Sequence, residues 1–182
     1  MEIPVQFKER MREMLGEEYE AFIKAFSEDS GYTAVRINTM KDKAGAVKKY
    51  FSLTDRVAWC ENGYYTDKEI ISGNHPYHCA GLIYFQEPSA MAPMEAIPIE
   101  EGDRVLDLCA APGGKTTRAA EKLSGSGILV SNEIVPPRAD ILAENIARLG
   151  FSNVVVTNEN PSRIAAKYEG FFNKVIVDAP CS

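Results

Sequence analysis

The chain lacks several features that would assign it to a specialised class of proteins. Its 182 residues include only four cysteines, with no C-x-x-C pair, so a disulfide framework is not indicated. No apolar run approaches the roughly 18 residues that a membrane-spanning helix needs. The amino terminus also lacks the basic-then-apolar order of a secretion signal. We therefore expect a cytoplasmic globular protein without a membrane partner.

Positive charge is also scarce. The chain has 20 Lys and Arg residues against 26 Asp and Glu residues, which gives a formal net charge of -6. Binding of nucleic acid by counterion release alone would need a positive field. Any contact with nucleic acid must therefore use a local basic patch, or a part of the protein not in this sequence.

The first 75 residues predict a small α/β domain. Apolar residues recur every three or four positions over residues 4–26, which is typical of an amphipathic helix. Strand-like segments at residues 32–38 and 57–59 enclose a short helix that Asp42 can cap. A cluster of Gly, Asn and Pro follows, and we place the domain boundary after residue 75.

Residues 76–182 alternate strands with helices. The predicted strands are 104–109, 127–133, 153–158 and 174–179, and the predicted helices are 115–123, 136–149 and 161–168. This alternation indicates an α/β fold with a parallel, doubly wound, Rossmann-like sheet. Such a sheet needs cover on both faces, and no helix follows the fourth strand. We therefore expect an incomplete sheet and a chain that is the front part of a longer polypeptide.

The most informative segment is the turn between the first strand of this sheet and its helix. It reads Asp107-Leu108-Cys109-Ala110-Ala111-Pro112-Gly113-Gly114-Lys115-Thr116. Small side chains let a ligand approach the backbone, and the helix amino terminus offers unpaired N–H groups to a carboxylate or phosphate. A P-loop would need glycine at position 109, and the G-x-G-x-x-G pattern is also missing. A nucleotide-dependent enzyme that uses Gly114-Lys115-Thr116 is therefore disfavoured.

Two polar residues follow the next strands. Glu133 comes 20 residues after Gly113, where doubly wound nucleoside-binding folds place an acid on the ribose hydroxyls. The alternative is that Glu133 caps the following helix. Asn160 can meet an adenine edge, or it can cap the helix that begins at Pro161. The arrangement suits a nucleoside without a pyrophosphate.

The fourth strand ends in Asp178-Ala179-Pro180-Cys181-Ser182. Because the carboxyl ends of parallel strands face the ligand crevice, we expect both Asp178 and Cys181 to be functional. By contrast, His75, His78 and Cys79 fall in one loop without a fourth ligand at matching spacing. We predict no metal site there.

These two motifs together resemble the RNA cytosine-5 methyltransferases of the Sun/RsmF type. The segment at residues 84–91, Tyr-Phe-Gln-Glu-Pro-Ser-Ala-Met, is similar to the one that leads into that family's methyltransferase domain. The stretch Arg36-Ile37-Asn38-Thr39 resembles the R-x-N-T stretch of its small amino-terminal domain. The arrangement is most similar to the bacterial RsmF branch, whose substrate is a cytosine in small-subunit ribosomal RNA. The resemblance implies S-adenosylmethionine as cofactor, ribosomal RNA as partner and an RNA-positioning role for residues 1–75, and we expect a monomer.

The resemblance also assigns roles to single residues. Those assigned to the cofactor are Cys109, Ala110, Ala111, Pro112, Gly113, Gly114 and Lys115 in the turn, Glu133 at the ribose, Arg138 beside it, and Asp178, which also serves the target-base pocket. Asn160 stands where many members have an aspartate near the adenine, and an amide can still donate and accept there.

The implied chemistry needs a thiol, because C5 of cytosine is a poor nucleophile. A thiolate adds to C6, C5 then attacks the sulfonium methyl, a base removes the C5 proton and the thiol leaves. In this RNA family the attacking cysteine lies in a later strand, and the cysteine of Asp-Ala-Pro-Cys assists release. Cys181 thus takes the release role, and we predict that the 182 residues alone do not turn over. The competing assignment makes Cys181 the attacker, as in DNA cytosine-5 methyltransferases.

The sequence therefore predicts an S-adenosylmethionine-dependent RNA cytosine-5 methyltransferase. The rival from another class is a non-catalytic RNA-binding or assembly protein that keeps a methyltransferase-like fold. Such a protein need not bind the cofactor, so cofactor binding separates the two.

Overall fold

The computed structural model describes residues 3–27, 33–66 and 73–180. The chain divides into two compact units, residues 1–32 and residues 33–182. In the first unit, helix α1 (Val5–Leu15) is followed by a 3-10 turn (Gly16–Glu18) and by helix α2 (Tyr19–Ser27). The helix predicted over residues 4–26 is thus divided into two, at a glycine, which is a poor helix former.

The second unit begins with a three-stranded antiparallel sheet in the order β2-β1-β3. Its elements are β1 (Ala34–Ile37), α3 (Ala46–Tyr50), β2 (Gly63–Tyr65), α4 (Pro76–Cys79) and β3 (Ile83–Phe85). Asp42 stabilises the start of α3 as predicted, because its carboxylate accepts hydrogen bonds from the N–H groups of Ala46 and Val47. The central strand β1 is buried along its whole length.

Two details of this sheet differ from the sequence-based expectation. The strand predicted over residues 57–59 is wrong: the Cys60 N–H donates to the Val57 carbonyl at 3.0 Å, which closes a turn, and the paired strand begins only at Gly63. The strand β3 lies beyond the boundary that we place after residue 75, yet it pairs with β1. The division into residues 1–75 and 76–182 stays a prediction.

The larger sheet has four parallel strands in the order β6-β5-β4-β7. The elements of this part are α5 (Pro88–Ala96), β4 (Arg104–Asp107), α6 (Gly114–Lys122), β5 (Ile128–Asn132), α7 (Pro136–Leu149), β6 (Val154–Thr157), α8 (Pro161–Lys167) and β7 (Lys174–Ile176). The chain runs outward from β4 to β6 and then returns to the other side of β4. This order confirms the predicted doubly wound sheet, whose ligand crevice forms where the direction switches.

The main core lies between this sheet and the helices α6 and α7. Leu142, Ile146 and Leu149 of α7 are buried in it at helical spacing, whereas Ile141, which the periodicity places on the same face, is 48% exposed. On the opposite face, α8 packs against β4 and β5. Within the described ranges, no helix is both long and apolar enough to cross a bilayer.

The small sheet is attached to the last turn of α7. Asn38 donates from Nδ2 to the carbonyls of Gly81 and Leu149, both at 2.9 Å. Lys41 donates to the carbonyl of Arg148 at 2.7 Å. The last carbonyls of a helix have no partner within it, so these donors satisfy them, and the lysine charge complements the helix dipole.

Candidate active site

The turn from β4 into α6 forms one wall of the site. Gly113 is the residue before α6, with a φ of +113°, and no side chain caps the helix. The first N–H groups of α6 are therefore open to an anionic ligand. A Cβ at Gly113 would lie 3.1 Å from the Leu142 side chain of α7. A larger residue there would therefore have both an unfavourable backbone conformation and a crowded neighbour.

A cleft of about 260 Å³ opens beside this turn, at the carboxyl edge of the large sheet. It is lined by Leu108, Cys109, Ala111, Glu133, Ile134, Val135, Arg138, Pro161, Asp178, Ala179 and Pro180. Five of the predicted site residues thus share one cleft, namely Cys109, Ala111, Glu133, Arg138 and Asp178. The other predicted residues of the described ranges, Ala110, Pro112, Gly113, Gly114, Lys115 and Asn160, do not line it.

Glu133 makes the kind of contact that the capping alternative predicts, and its ribose role stays a prediction. Its side chain is only 4% exposed. Its Oε1 accepts from the Val135 N–H at 3.0 Å, as a cap does, and its Oε2 lies 3.5 Å from Nη1 of Arg138. Arg138 in turn donates from Nη2 to the Ala111 carbonyl at 2.8 Å. Arg138 therefore connects the turn to the acid at the end of β5.

Asp178 is paired with a lysine from the turn. Nζ of Lys115 lies 2.6 Å from Oδ2 of Asp178, and the Asp178 side chain is 62% exposed. The two residues are 63 positions apart, but β4 and β7 are neighbours, so both lie at the same edge of the sheet. The pair puts a hydrogen-bond donor and an acceptor side by side at the cleft rim. Sequence reasoning assigned both residues and did not foresee their contact.

Asn160 acts as a helix cap in this structure. Its Oδ1 accepts from the N–H of Ser162 at 3.0 Å and from its hydroxyl at 2.7 Å. Only the next residue, Pro161, reaches the cleft. The cap is the alternative that the sequence offered, and an adenine contact of Asn160 stays a prediction.

The two motifs contain one thiol each, Cys109 and Cys181. Cys181 lies outside the described residues. Burial, reinforced by the negative charges of Glu133 and Asp107, raises the pKa of the Cys109 thiol. Cys109 is therefore kept as a neutral thiol, which is unsuited to nucleophilic attack.

His75 has a structural role. Its Nδ1 accepts from the Tyr77 N–H at the start of α4. In the portion of the chain that the structure describes, no three His, Cys, Asp or Glu side chains form a group that could hold a metal ion.

Asp107 is a buried acid to which sequence reasoning assigned no role. It ends β4 with 1% exposure, and its Oδ2 accepts from the hydroxyl of Thr116 at 2.7 Å. Its Oδ1 has no hydrogen-bond partner. Burial raises the pKa of Asp107 to about 6, against a lowering by the Thr116 hydrogen bond. The position of Asp107 at a strand end beside a ligand turn was a signal that could have identified it.

We expect the substitution Asp107→Asn to stabilise the protein more at neutral pH than in acid. The pKa of Asp107 is higher in the folded state than the ordinary 3.8, so the folded parent protein binds this proton more tightly than the unfolded chain does. The resulting stability is fully present below pH 3.8 and is lost as the pH rises through about 6. The asparagine does not titrate. The difference in free energy of unfolding, variant minus parent, should rise by about 2–3 kcal/mol between about pH 4 and about pH 7.

Urea unfolding across this pH range measures the effect, with the exposed Asp140→Asn as control. A pH-independent difference for Asp107→Asn would show that the buried carboxyl carries no such penalty.

Two family models match the chain along almost its whole length. Residues 3–88 match the N-terminal domain of 16S rRNA methyltransferase RsmF, and residues 94–182 match 16S rRNA methyltransferase RsmB/F. The chain belongs to this family. Its relatives are S-adenosylmethionine-dependent methyltransferases, which is the resemblance that the two motifs suggest.

Curated relatives and solved structures agree with this membership. Ribosomal RNA small subunit methyltransferase F of an Enterobacter species is 34% identical over 98% of this chain and 40% of its own length. The Vibrio cholerae protein of the same name is 38% identical over 82% of this chain and 33% of its own length. The chain thus spans well under half of these relatives.

The structural relatives support the fold of the whole chain. A methyltransferase homolog from Pyrococcus horikoshii superposes with a TM-score of 0.82 and 28% identity over 99% of this chain and 60% of its own. NSun6 from the same organism, solved with SFG, gives 0.81 over 98% of this chain and 71% of its own, and at 19% identity it supports the fold alone.

Proposed function

We propose that this RsmB/F-family protein methylates C5 of a cytosine in small-subunit ribosomal RNA with S-adenosylmethionine as methyl donor. One observation carries the proposal: a single cleft is lined by Cys109 and Ala111 of the turn, by Glu133 directly after β5 and by Asp178 after β7. A cytoplasmic location follows from a ribosomal substrate. A monomeric state and an RNA-positioning role for residues 1–75 stay predictions.

The residues of the cleft fit a nucleoside cofactor. Uncapped N–H groups at the start of α6 suit a carboxylate, and the buried carboxylate of Glu133 suits a pair of ribose hydroxyls. Ala111 and Cys109 leave room for close approach to the backbone. The cofactor would supply an electrophilic methyl group at this place.

The pair of Lys115 and Asp178 suits the target base. A cytosine presents its exocyclic amino group as a donor, which a carboxylate can accept, and the ring nitrogen N3 beside it is an acceptor for an ammonium group. Because Asp178 is more than half exposed, it can meet a base that enters from solvent. We propose that the pair orients the base while a thiolate adds to C6.

Cys181 comes three residues after Asp178 in the sequence, and we propose that it assists release of the product. Elimination breaks the bond between sulfur and C6 once a base has taken the proton from C5. In this assignment a different cysteine of the protein attacks C6. The inactivity of the 182 residues alone stays a prediction.

The intact protein with Cys181→Ser tests both the reaction and the role. With ribosomal RNA and S-adenosylmethionine, we expect the variant to methylate C5 once and to remain covalently joined to the RNA, because the adduct cannot resolve. Denaturing electrophoresis detects the adduct, and sequencing after bisulfite treatment detects 5-methylcytosine. The exposed Cys79→Ser is the matched control and should turn over like the parent.

Two results would contradict this proposal. Loss of both the adduct and the methylated base in Cys181→Ser would make Cys181 the attacking nucleophile. A parent protein that binds RNA but not S-adenosylmethionine would support the non-catalytic alternative.

A further inference from the structure

Two buried polar side chains of the small sheet reach the helices of the large sheet. Arg36 lies in β1 and Asn38 is the residue directly after it, and both are 1% exposed. Asn38 bonds to the last turn of α7. Arg36 reaches α6 instead, at the turn that we assign to the cofactor.

The guanidinium of Arg36 contacts the first turn of α6 at two points. Nη1 donates to the carbonyl of Gly114 at 3.0 Å, and Nη2 donates to the hydroxyl of Thr117. A Cβ at Gly114 would lie 2.9 Å from the amide nitrogen of Gln86, which is itself a partner of Arg36. The absence of a side chain at position 114 thus lets the small sheet approach the helix start.

The Arg36 guanidinium also contacts groups outside the first turn of α6. A buried guanidinium is costly unless it is paired. Oε2 of Glu121 lies 3.5 Å from Nε of Arg36, and the ring of Tyr84 lies 5.4 Å from the centre of the guanidinium. These two groups, one from α6 and one from β3, therefore add to the contacts that fix the position of the side chain.

The rest of the turn is held from the other side. Arg138 donates to the carbonyl of Ala111, and Asn145 donates to the carbonyl of Pro112, both at 2.8 Å and both from α7. The carbonyls of residues 111, 112 and 114 are therefore all bonded to protein side chains. A turn held in this way pays less conformational entropy when it binds a ligand.

We propose that Arg36 is a positioning residue for the cofactor, which holds the first turn of α6 in its binding conformation. Residues of the small sheet then contribute to cofactor affinity without touching the ligand. The identity of the ligand rests on the function proposed above, whereas the effect of Arg36 on the turn does not.

The test compares variants of Arg36, Thr117 and Asn38 in the intact protein. Arg36→Met removes all donors, Arg36→Lys keeps the charge but loses the planar fork, and Thr117→Val removes one acceptor at nearly constant shape. Asn38→Ala is the matched control: it removes an equally buried side chain, directly after β1, whose helix contact is Leu149 in the last turn of α7 and not the first turn of α6. Calorimetry measures the affinity for sinefungin, an analogue of S-adenosylmethionine that cannot donate a methyl group. Amide hydrogen exchange measures the opening of residues 113–117.

We expect Arg36→Met to weaken sinefungin binding about tenfold, because a charged hydrogen bond that holds the turn is lost. The affinities of Arg36→Lys and Thr117→Val should fall between those of the parent and Arg36→Met. Exchange at residues 114–117 should become faster in the same order. Asn38→Ala should lower the free energy of unfolding but leave affinity within about twofold.

Equal affinity losses in Arg36→Met and Asn38→Ala, or unchanged exchange at α6, would overturn the proposal. If Arg36→Met does not fold, the other two variants decide the question by the same measurements. If the parent does not bind sinefungin, the function proposed above fails, and the exchange data still decide whether Arg36 holds the turn.

Discussion

Gly81→Ala is expected to destabilise the protein more than any other single substitution considered for this chain. Gly81 has a φ of +72°, and a Cβ there would lie 2.0 Å from the carbonyl oxygen of Arg148 and 3.0 Å from Cα of Leu149. These are backbone atoms of the last turn of α7, so they cannot move aside without disturbing the helix. We expect a loss on the order of 4–5 kcal/mol, from clash and backbone strain together.

A loss of that size is a large part of the free energy of unfolding of a domain, which is about 5–15 kcal/mol. Urea unfolding measures it. The control is Gly125→Ala, where φ is +78° but no atom lies within 4 Å of the added Cβ, so only backbone strain of about 1–2 kcal/mol applies. Similar losses for the two variants would show that the small sheet can draw back from α7 at little cost.

Glu133→Ala is expected to weaken binding of S-adenosylmethionine about 100-fold. Two hydrogen bonds from ribose hydroxyls to a carboxylate are together worth about 3 kcal/mol or more, and 1.4 kcal/mol corresponds to a factor of ten. The substitution also releases Arg138, whose guanidinium lies 3.5 Å from Glu133. Calorimetric titration of the intact protein measures the affinity.

Two further variants separate ligand contact from the capping role. Glu133→Gln keeps an acceptor for the Val135 N–H and should recover most of the stability but only part of the affinity. Glu159→Ala removes the acid that follows the next strand, which is paired with the exposed Arg163, and should leave affinity unchanged. If Glu133→Ala loses about 1 kcal/mol of stability but no affinity, Glu133 is only a cap.

The large sheet was predictable because its signals are local. Helix α7 runs from Pro136 to Leu149, as its apolar spacing and the glycine after it predict, and each parallel strand is a short apolar run between turn residues. Strands of the small antiparallel sheet depend instead on partners that are distant in sequence, which is why the strand predicted at residues 57–59 is wrong. An antiparallel strand forms where a neighbour is available, and β1 pairs with residues 63–65.

The features of the candidate site also divide into those that local sequence determines and those that depend on tertiary packing. By itself, the sequence determined which strand ends meet at the crevice and that Glu133 and Asp178 belong there, because parallel strands bring their carboxyl ends to one edge. Only the tertiary structure decided that Lys115 pairs with Asp178 and that Arg36 reaches the start of α6. Those contacts join residues from separate elements, so they depend on how sheets and helices pack, which no local pattern encodes.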